Sequence, residues 1–235
     1  MELPISVIIP LASGETAWQK LLPVLLEYPL CEVLLATGAA NLAGEMDLQA
    51  CNRPVRSVKG GAGRAGQMNQ AAKTAKGKFL WFLHADSQLQ PDTISKLAHQ
   101  IEQDPDALFY HDLKFQEDGP GLMQLNEWAV RLRSDYLGMP FGDQGFCISR
   151  PRFDQLGGYR EDVDYGEDHL FAWKARQSGI PLRRTGAAIQ TSARKYRDRG
   201  WFSTTALHVQ LTVAQAWPEY KKLRQIRRAD KAAKE

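Results

Sequence analysis

The chain has 235 residues, 43% apolar and 24% charged, an ordinary globular composition that excludes disordered, collagen-like and coiled-coil classes. Lys plus Arg number 30 against 27 Asp plus Glu, a net charge of +3, and the excess is local: residues 218–235 hold seven basic and three acidic residues. A near-neutral body with a cationic end is not the footprint of a dedicated nucleic-acid binder, and no apolar run approaches the roughly 18 residues that a membrane span needs.

In chain order, residues 5–9 read as a buried strand closed by Pro10, and residues 15–27 as a helix with Trp18, Leu21, Leu22, Leu25 and Leu26 on one face. Strands over 32–36 and 55–58, a helix over 65–75, a strand over 79–83 and a helix over 93–103 behind Pro91 continue the alternation. Strands separated by helices predict a parallel α/β sheet. Past Pro105 the pattern loosens into a strand over 108–115, a helix over 122–137, a short strand over 146–148 and helices over 168–178 and 200–217. The basic segment 218–235 reads as a surface helix following a domain of residues 1–217. The first residues, Met1-Glu2-Leu3-Pro4, lack a basic leader region, so a cytoplasmic protein is expected. Cys31, Cys51 and Cys147 are widely spaced and odd in number, which favours reduced thiols over a disulfide framework or a zinc site.

Several polar segments stand out. Gly61-Ala62-Gly63-Arg64-Ala65-Gly66 spells the dinucleotide fingerprint, with Asp86 twenty residues beyond it. It follows the third strand, however, and its helix carries Arg64, Gln67 and Asn69, polar groups suited to holding a ligand; a plain glycine-rich turn is the alternative. The buried strand 79–83 ends in His84-Ala85-Asp86, at the sheet edge where open α/β sheets bind ligands. Asp86 there can hold magnesium or manganese together with phosphate oxygens, with His84 as a group supporting the ligand from behind or as a manganese ligand itself. Turn-capping for Asp86 and a core position for His84 are the bland readings. Gly142-Asp143-Gln144-Gly145 is a substrate loop or a turn. Glu167-Asp168 opens a helix, where acids meet the macrodipole and capping alone is an adequate reason for them. Residues 192–200 place Arg194, Lys195, Arg197 and Arg199 within six positions, suited to phosphate or to a solvated face.

Taken together, Ser6-Val7-Ile8-Ile9-Pro10, Gly63-Arg64-Ala65-Gly66-Gln67-Met68-Asn69, Phe82-Leu83-His84-Ala85-Asp86, Gly142-Asp143-Gln144-Gly145, Leu156-Gly157-Gly158-Tyr159, Glu167-Asp168 and Ser192-Ala193-Arg194-Lys195-Tyr196 resemble the family 2 glycosyltransferases of GT-A fold. The resemblance is nearest to a small bacterial subgroup encoded beside radical-SAM and selenium-related proteins. It implies a single GT-A-like, Rossmann-type, mostly parallel sheet flanked by helices, with a C-terminal helical extension. It further implies a nucleotide-sugar donor contacted by Arg64, Gln67, Asn69, Asp86, Arg194 and Lys195, and a divalent Mn2+ or Mg2+ on Asp86 with His84 in place of the family's first acid. Asp143, Gln144 and Glu167 fall at substrate positions and Asp168 at that of the catalytic base, which implies inverting transfer. The acceptor is unspecified; a lipid-linked one at the inner membrane face is consistent with the basic tail.

Two segments depart from the family pattern. Leu11-Ala12-Ser13-Gly14-Glu15 stands where Asn-Glu usually follows Pro10, and Ala36-Thr37-Gly38-Ala39-Ala40-Asn41 lacks the usual nucleotide-contacting carboxylate. A GT-A domain that binds without catalysis, a nucleotidyltransferase and an NAD-binding protein therefore stand as alternatives.

Overall fold

The computed structural model describes residues 3–38 and 54–233, apart from the side chains of Lys195 and Arg199. Ala39, Ala40, Asn41 and Cys51, singled out above, lie outside the described residues. Among those described, the elements are β1 (Leu3–Leu11), α1 (Trp18–Leu26), β2 (Leu30–Thr37), β3 (Val55–Lys59), α2 (Gly63–Thr74), β4 (Phe79–Phe82), β5 (Gln88–Leu89), α3 (Thr93–Gln103), β6 (Leu108–Phe115), α4 (Met123–Leu137), β7 (Cys147–Ser149), α5 (Arg150–Leu156), α6 (Glu167–Gln177), β8 (Leu182–Thr191), α7 (Arg194–Arg199) and α8 (Trp201–Ala232).

The strands form one sheet in the order β3-β2-β1-β4-β7-β6-β8-β5. β1 pairs in parallel with β2 and β4, β2 with β3, and β6 with β8, whereas β7 runs antiparallel between β4 and β6 and β5 antiparallel to β8. The expected mostly parallel α/β sheet flanked by helices is what forms. Alternation along β1 explains its two-sided core: Ile5, Val7 and Ile9 face α1 and α3, while Ile8 faces α2, α5 and α6. The strands that share a direction bring Leu11, Thr37, Lys59, Phe82, Phe115 and Thr191 to one sheet edge, and that edge collects most of the polar segments noted above.

Four elements, β5, α5, β8 and α7, escape the sequence pattern. β8 contains Arg183, Arg184 and Gly186, which interrupt apolar alternation, and its register against β6 shifts between Tyr110 and Asp112, with Gly186 at φ +76° absorbing the extra residues. α5 is a seven-residue helix opening with Pro151, too short to show a helical period. At the other end, the separate helices expected over 200–217 and 218–235 are one helix, α8, running through Pro218. Just beyond the proline Glu219 and Leu223 are buried. The Gln177 amide donates to the Glu219 carbonyl (3.1 Å) and carboxylate (2.8 Å), and Leu223 packs with Met139 and Trp173. The start of the basic segment is thereby anchored to the body.

Candidate active site

The first turns of α2 and α6 meet at the carboxyl edge of the sheet. Arg64, in the first turn of α2, places its Nε 3.1 Å from Glu167 Oε1 and a terminal nitrogen 3.4 Å from Asp168 Oδ2. Both Asp168 oxygens are engaged: Oδ1 accepts the backbone N–H of His169 (2.7 Å), and Oδ2 accepts that of Gly142 (2.6 Å) as well as facing Arg64. The contact with Gly142 requires glycine, because a Cβ there would lie 2.5 Å from Asp168 Oδ2 and 2.8 Å from the Arg64 guanidinium. Burial alone would push the Asp168 carboxyl upward, but the Arg64 guanidinium and the two backbone N–H groups outweigh it and hold it below the ordinary carboxylate range. Arg64 shifts the opposite way: burial would lower it, and Asp168 and Glu167 together raise it. His84 is near enough for its charge to act on Asp168, and Asp143 acts on Arg64.

A second layer holds this cluster in place. Gly142–Gln144 form a 3-10 turn whose Gln144 side chain is 1% exposed. Gln144 Oε1 accepts from Ser134 Oγ (3.0 Å) and the Phe141 N–H (3.0 Å), and its amide nitrogen donates to the His111 carbonyl (2.8 Å). Gln144, expected at a substrate position, is a buried amide that spends its groups pinning the turn to β6 and α4. Asn69, expected at the donor, is engaged in the same way. Its Oδ1 accepts the Tyr159 N–H (2.9 Å), and its Nδ2 donates to the Tyr159 carbonyl (2.8 Å) and Glu161 Oε1 (2.7 Å). Asn69 thus clamps the Gly157-Gly158 loop onto α2, which accounts for two of the sequence motifs by packing. Sequence reasoning missed Arg133, whose guanidinium lies 3.4 Å over the Phe141 ring and within the field of Asp143 and Asp168. It sits among the polar residues of α4, where nothing distinguishes it by pattern.

The remaining expected residues line the same edge. Gln67 donates to the Leu11 carbonyl at the end of β1 (3.2 Å), and a Cβ on Gly38 would lie 3.5 Å from its amide nitrogen, so it bridges the ends of β1 and β2. Asp86 is partly exposed just beyond β4, with Oδ2 3.4 Å from the Thr191 hydroxyl. Arg194 is exposed on α7 and pairs loosely with Asp118 (3.7 Å), whose carboxylate also takes the Ser192 hydroxyl and the Ala193 N–H. The Lys195 side chain lies outside the described residues. The glycine-rich loop follows β3, the edge strand, away from the point between β1 and β4 where the strand order reverses and a dinucleotide would sit. Its glycines serve close packing: a Cβ on Gly61 would fall 2.1 Å from the Gly66 carbonyl carbon.

A divalent metal meets a partial donor set here. No group of three or more His, Cys, Asp and Glu is arranged to hold an ion among the described residues. Asp86 forms no ion pair among the described side chains. Asp86 with His84 fits a hard, six-coordinate ion that takes its other ligands from phosphate oxygens and water, and does not fit a closed protein cage.

Residues 44–156, just under half of the chain, match the family Glycosyl transferase family 2. An uncharacterized glycosyltransferase of Haemophilus influenzae is 28% identical over 125 residues, covering 49% of this chain and 41% of that protein, so the chain spans less than half of this curated relative. Among solved structures, the mannosyltransferase PcManGT from Pyrobaculum calidifontis in complex with GDP-Man and Mn2+ superposes with a TM-score of 0.68 at 17% identity, covering 97% of this chain and 69% of that one. S. aureus TarS 1-349 in complex with UDP-GlcNAc gives 0.59 at 17% identity, covering 82% and 58%. The architecture is therefore an α/β fold similar to that of GT-A glycosyltransferases, one domain with a C-terminal helix.

Proposed function

We propose that the chain is a family 2 glycosyltransferase that moves a sugar from a nucleoside-diphosphate sugar to an acceptor hydroxyl with inversion. The observation that carries this reading is the carboxylate of Asp168, held ionised at the carboxyl edge of a GT-A-like sheet by Arg64 and the Gly142 N–H. The match to the glycosyltransferase family and the sugar-nucleotide complexes of PcManGT and TarS support the donor class.

In this reading Asp168 takes the acceptor hydroxyl proton as the acceptor oxygen bonds to the anomeric carbon, and the bond from that carbon to the diphosphate oxygen breaks on the opposite face. Attack opposite the leaving group inverts the centre. Arg64 and Gln67 hold the donor, Arg194 and Lys195 meet the departing phosphates, and Asp143 and Glu167 orient the sugar and acceptor. A divalent ion on Asp86 and His84, when bound, supplies Lewis-acid neutralisation of the leaving diphosphate. Arg64 is 37% exposed in its side chain, so phosphate can compete for it without dismantling a core. The enzyme works in the cytoplasm and meets a lipid-linked acceptor at the inner membrane face. The radical-SAM and selenium setting belongs to this reading too.

Calorimetry with UDP, GDP and dTDP, each with and without manganese, tests it. One nucleotide should bind only with the metal, and Asp86→Ala should abolish that binding. Undiminished affinity in Asp86→Ala would remove Asp86 from the site, and failure of every nucleotide would remove the donor class.

A further inference from the structure

Among the described residues, helix α8 leaves one long face uncovered. Phe202, Val209, Val213, Trp217 and Tyr220 recur at intervals of seven, four, four and three residues, which aligns them along one stripe. All five are exposed, Phe202 by 80% and Trp217 by 58%, whereas Thr204, Glu219 and Leu223 are the residues α8 buries. The same spacing runs on through Arg224, Arg227 and Lys231, all exposed, so an apolar stripe passes directly into a cationic one. Lys221 Nζ lies 5.1 Å from the Trp217 ring centroid and the Arg224 guanidinium 5.9 Å from that of Tyr220, so cations and aromatic rings share the junction. α4, tied to the start of α8 by Asn126 through Trp201 (3.1 Å) and Thr205 (3.5 Å), adds exposed Leu122 and Leu125.

We propose that this stripe is a docking surface for an anionic lipid bilayer, with α8 lying in the plane of the headgroups. Phe202, Val209 and Val213 enter the acyl boundary, Trp217 and Tyr220 sit at headgroup level, and Arg224, Arg227 and Lys231 pair with lipid phosphates. Charge complementarity selects this occupant. Among the described residues no Asp or Glu lies on the stripe, so a second copy of the chain would offer Arg224 and Arg227 no counter-charge there, whereas an anionic bilayer offers apolar and negative layers together. No helix among the described residues is long and apolar enough to cross a membrane, so α8 binds as a surface element. The placement enlarges the expected contact from residues 218–235 to an apolar face that begins at Phe202. It requires nothing of the chemistry at the sheet edge.

The full chain is sedimented with vesicles of phosphatidylglycerol mixed into phosphatidylcholine and with vesicles of phosphatidylcholine alone. Wild type should pellet with the anionic vesicles and stay in solution with the neutral ones. Val213→Glu and Trp217→Glu, both at exposed positions, should leave the circular dichroism unchanged and should each weaken binding by roughly tenfold or more. Arg224→Glu with Arg227→Glu should weaken it by roughly fivefold per cation removed, with a strong salt dependence. Equal pelleting with both vesicle types overturns the proposal, as does unchanged binding by the stripe variants. So does a concentration-dependent dimer that Val213→Glu dissolves while no vesicle is bound. Nucleotide affinity measured on the same preparations separates the two readings: the stripe variants should keep it, and a protein that binds vesicles but no nucleotide loses only the transferase reading.

Discussion

At the amino ends of β1 and β2 the carboxylate of Glu32, 1% exposed, accepts the Ser6 hydroxyl (2.7 Å) and the Lys76 N–H on one oxygen and faces Arg56 (3.1 Å) with the other. Ser6 in turn accepts the Gly77 N–H (2.8 Å), and Arg150 donates to the carbonyls of Ala75 and Gly77. Every group in that cluster fixes the turn between α2 and β4, and a Cβ on Gly77 would lie 2.5 Å from the Ser6 nitrogen. At the carboxyl ends one guanidinium, Arg64, is shared by two carboxylates, with Asp143 close by and all of them reachable by water. The two ends of one sheet thus use the same residue types on opposite terms. The amino end is closed on itself, and the carboxyl end keeps a surplus of negative charge and an exchangeable cation, which folding alone does not require.

The sharpest way to break that contrast is to remove each carboxylate. Glu32→Ala strands the Lys76 N–H and the Ser6 hydroxyl and leaves Arg56 without its partner, so urea unfolding should show a loss of about 3–5 kcal/mol. Activity per folded molecule should stay near wild type. Asp168→Asn should behave in reverse. Because both Asp168 oxygens accept backbone N–H groups, the asparagine NH2 must face one donor, and stability should fall by about 1–2 kcal/mol. Turnover, once an acceptor is found, should fall roughly a hundredfold or more with nucleotide affinity retained. A merely structural Asp168 would lose stability without that excess loss of turnover.

The parts of the molecule that could be read in advance are those with a strong period. β1, β2, β3, β4 and β6 are short apolar or alternating runs, and α2, α3, α4 and α6 lie within about two residues of their predicted bounds. β8 was not legible because its register shift hides the alternation. Within the site, Arg64 and Asp168 are 104 residues apart and could be linked only through motifs, since neither segment carries a local signal for the other. Gly142 acts through its backbone N–H, its residue type fixed only by the close approach of Asp168 and Arg64 that the sequence does not show, and Arg133 acts through an aromatic ring. Asn69 and Gln144 show the opposite case. A polar residue in a glycine-rich stretch reads as a ligand contact, and here both amides turn inward to hold loops.

The smallest expected effect concerns acid, and it bears on which end of the sheet gives way first. His111, fully buried in β6, lies with Nδ1 3.1 Å from the Gln144 carbonyl and 3.2 Å from that of Gly145. Carbonyls only accept, so Nδ1 carries the proton, and a second proton would go to Nε2, which has no hydrogen-bond partner among the described residues. Burial pushes the His111 pKa down to about 4, the two carbonyls only partly offsetting it, and burial likewise brings His169 to about 4 against the pull of Asp168. An unfolded histidine titrates near 6.5, so between these values the unfolded chain binds more protons than the folded one. The stability these residues contribute is therefore complete above about pH 6.5 and declines as the pH falls toward 4, by about 2 kcal/mol per histidine between pH 7 and 5. His111→Asn keeps a donor near the position of Nδ1–H and does not titrate, so its stability should drop by about 2 kcal/mol less than wild type over that interval in urea melts. Hydrogen exchange should show the amides around residues 141–147 losing protection before those of β1 and β2 beside Glu32. An unchanged slope in His111→Asn would mean that the turn beneath Asp168 is not held by a neutral histidine, and the acid-labile end of the sheet would have to be sought elsewhere.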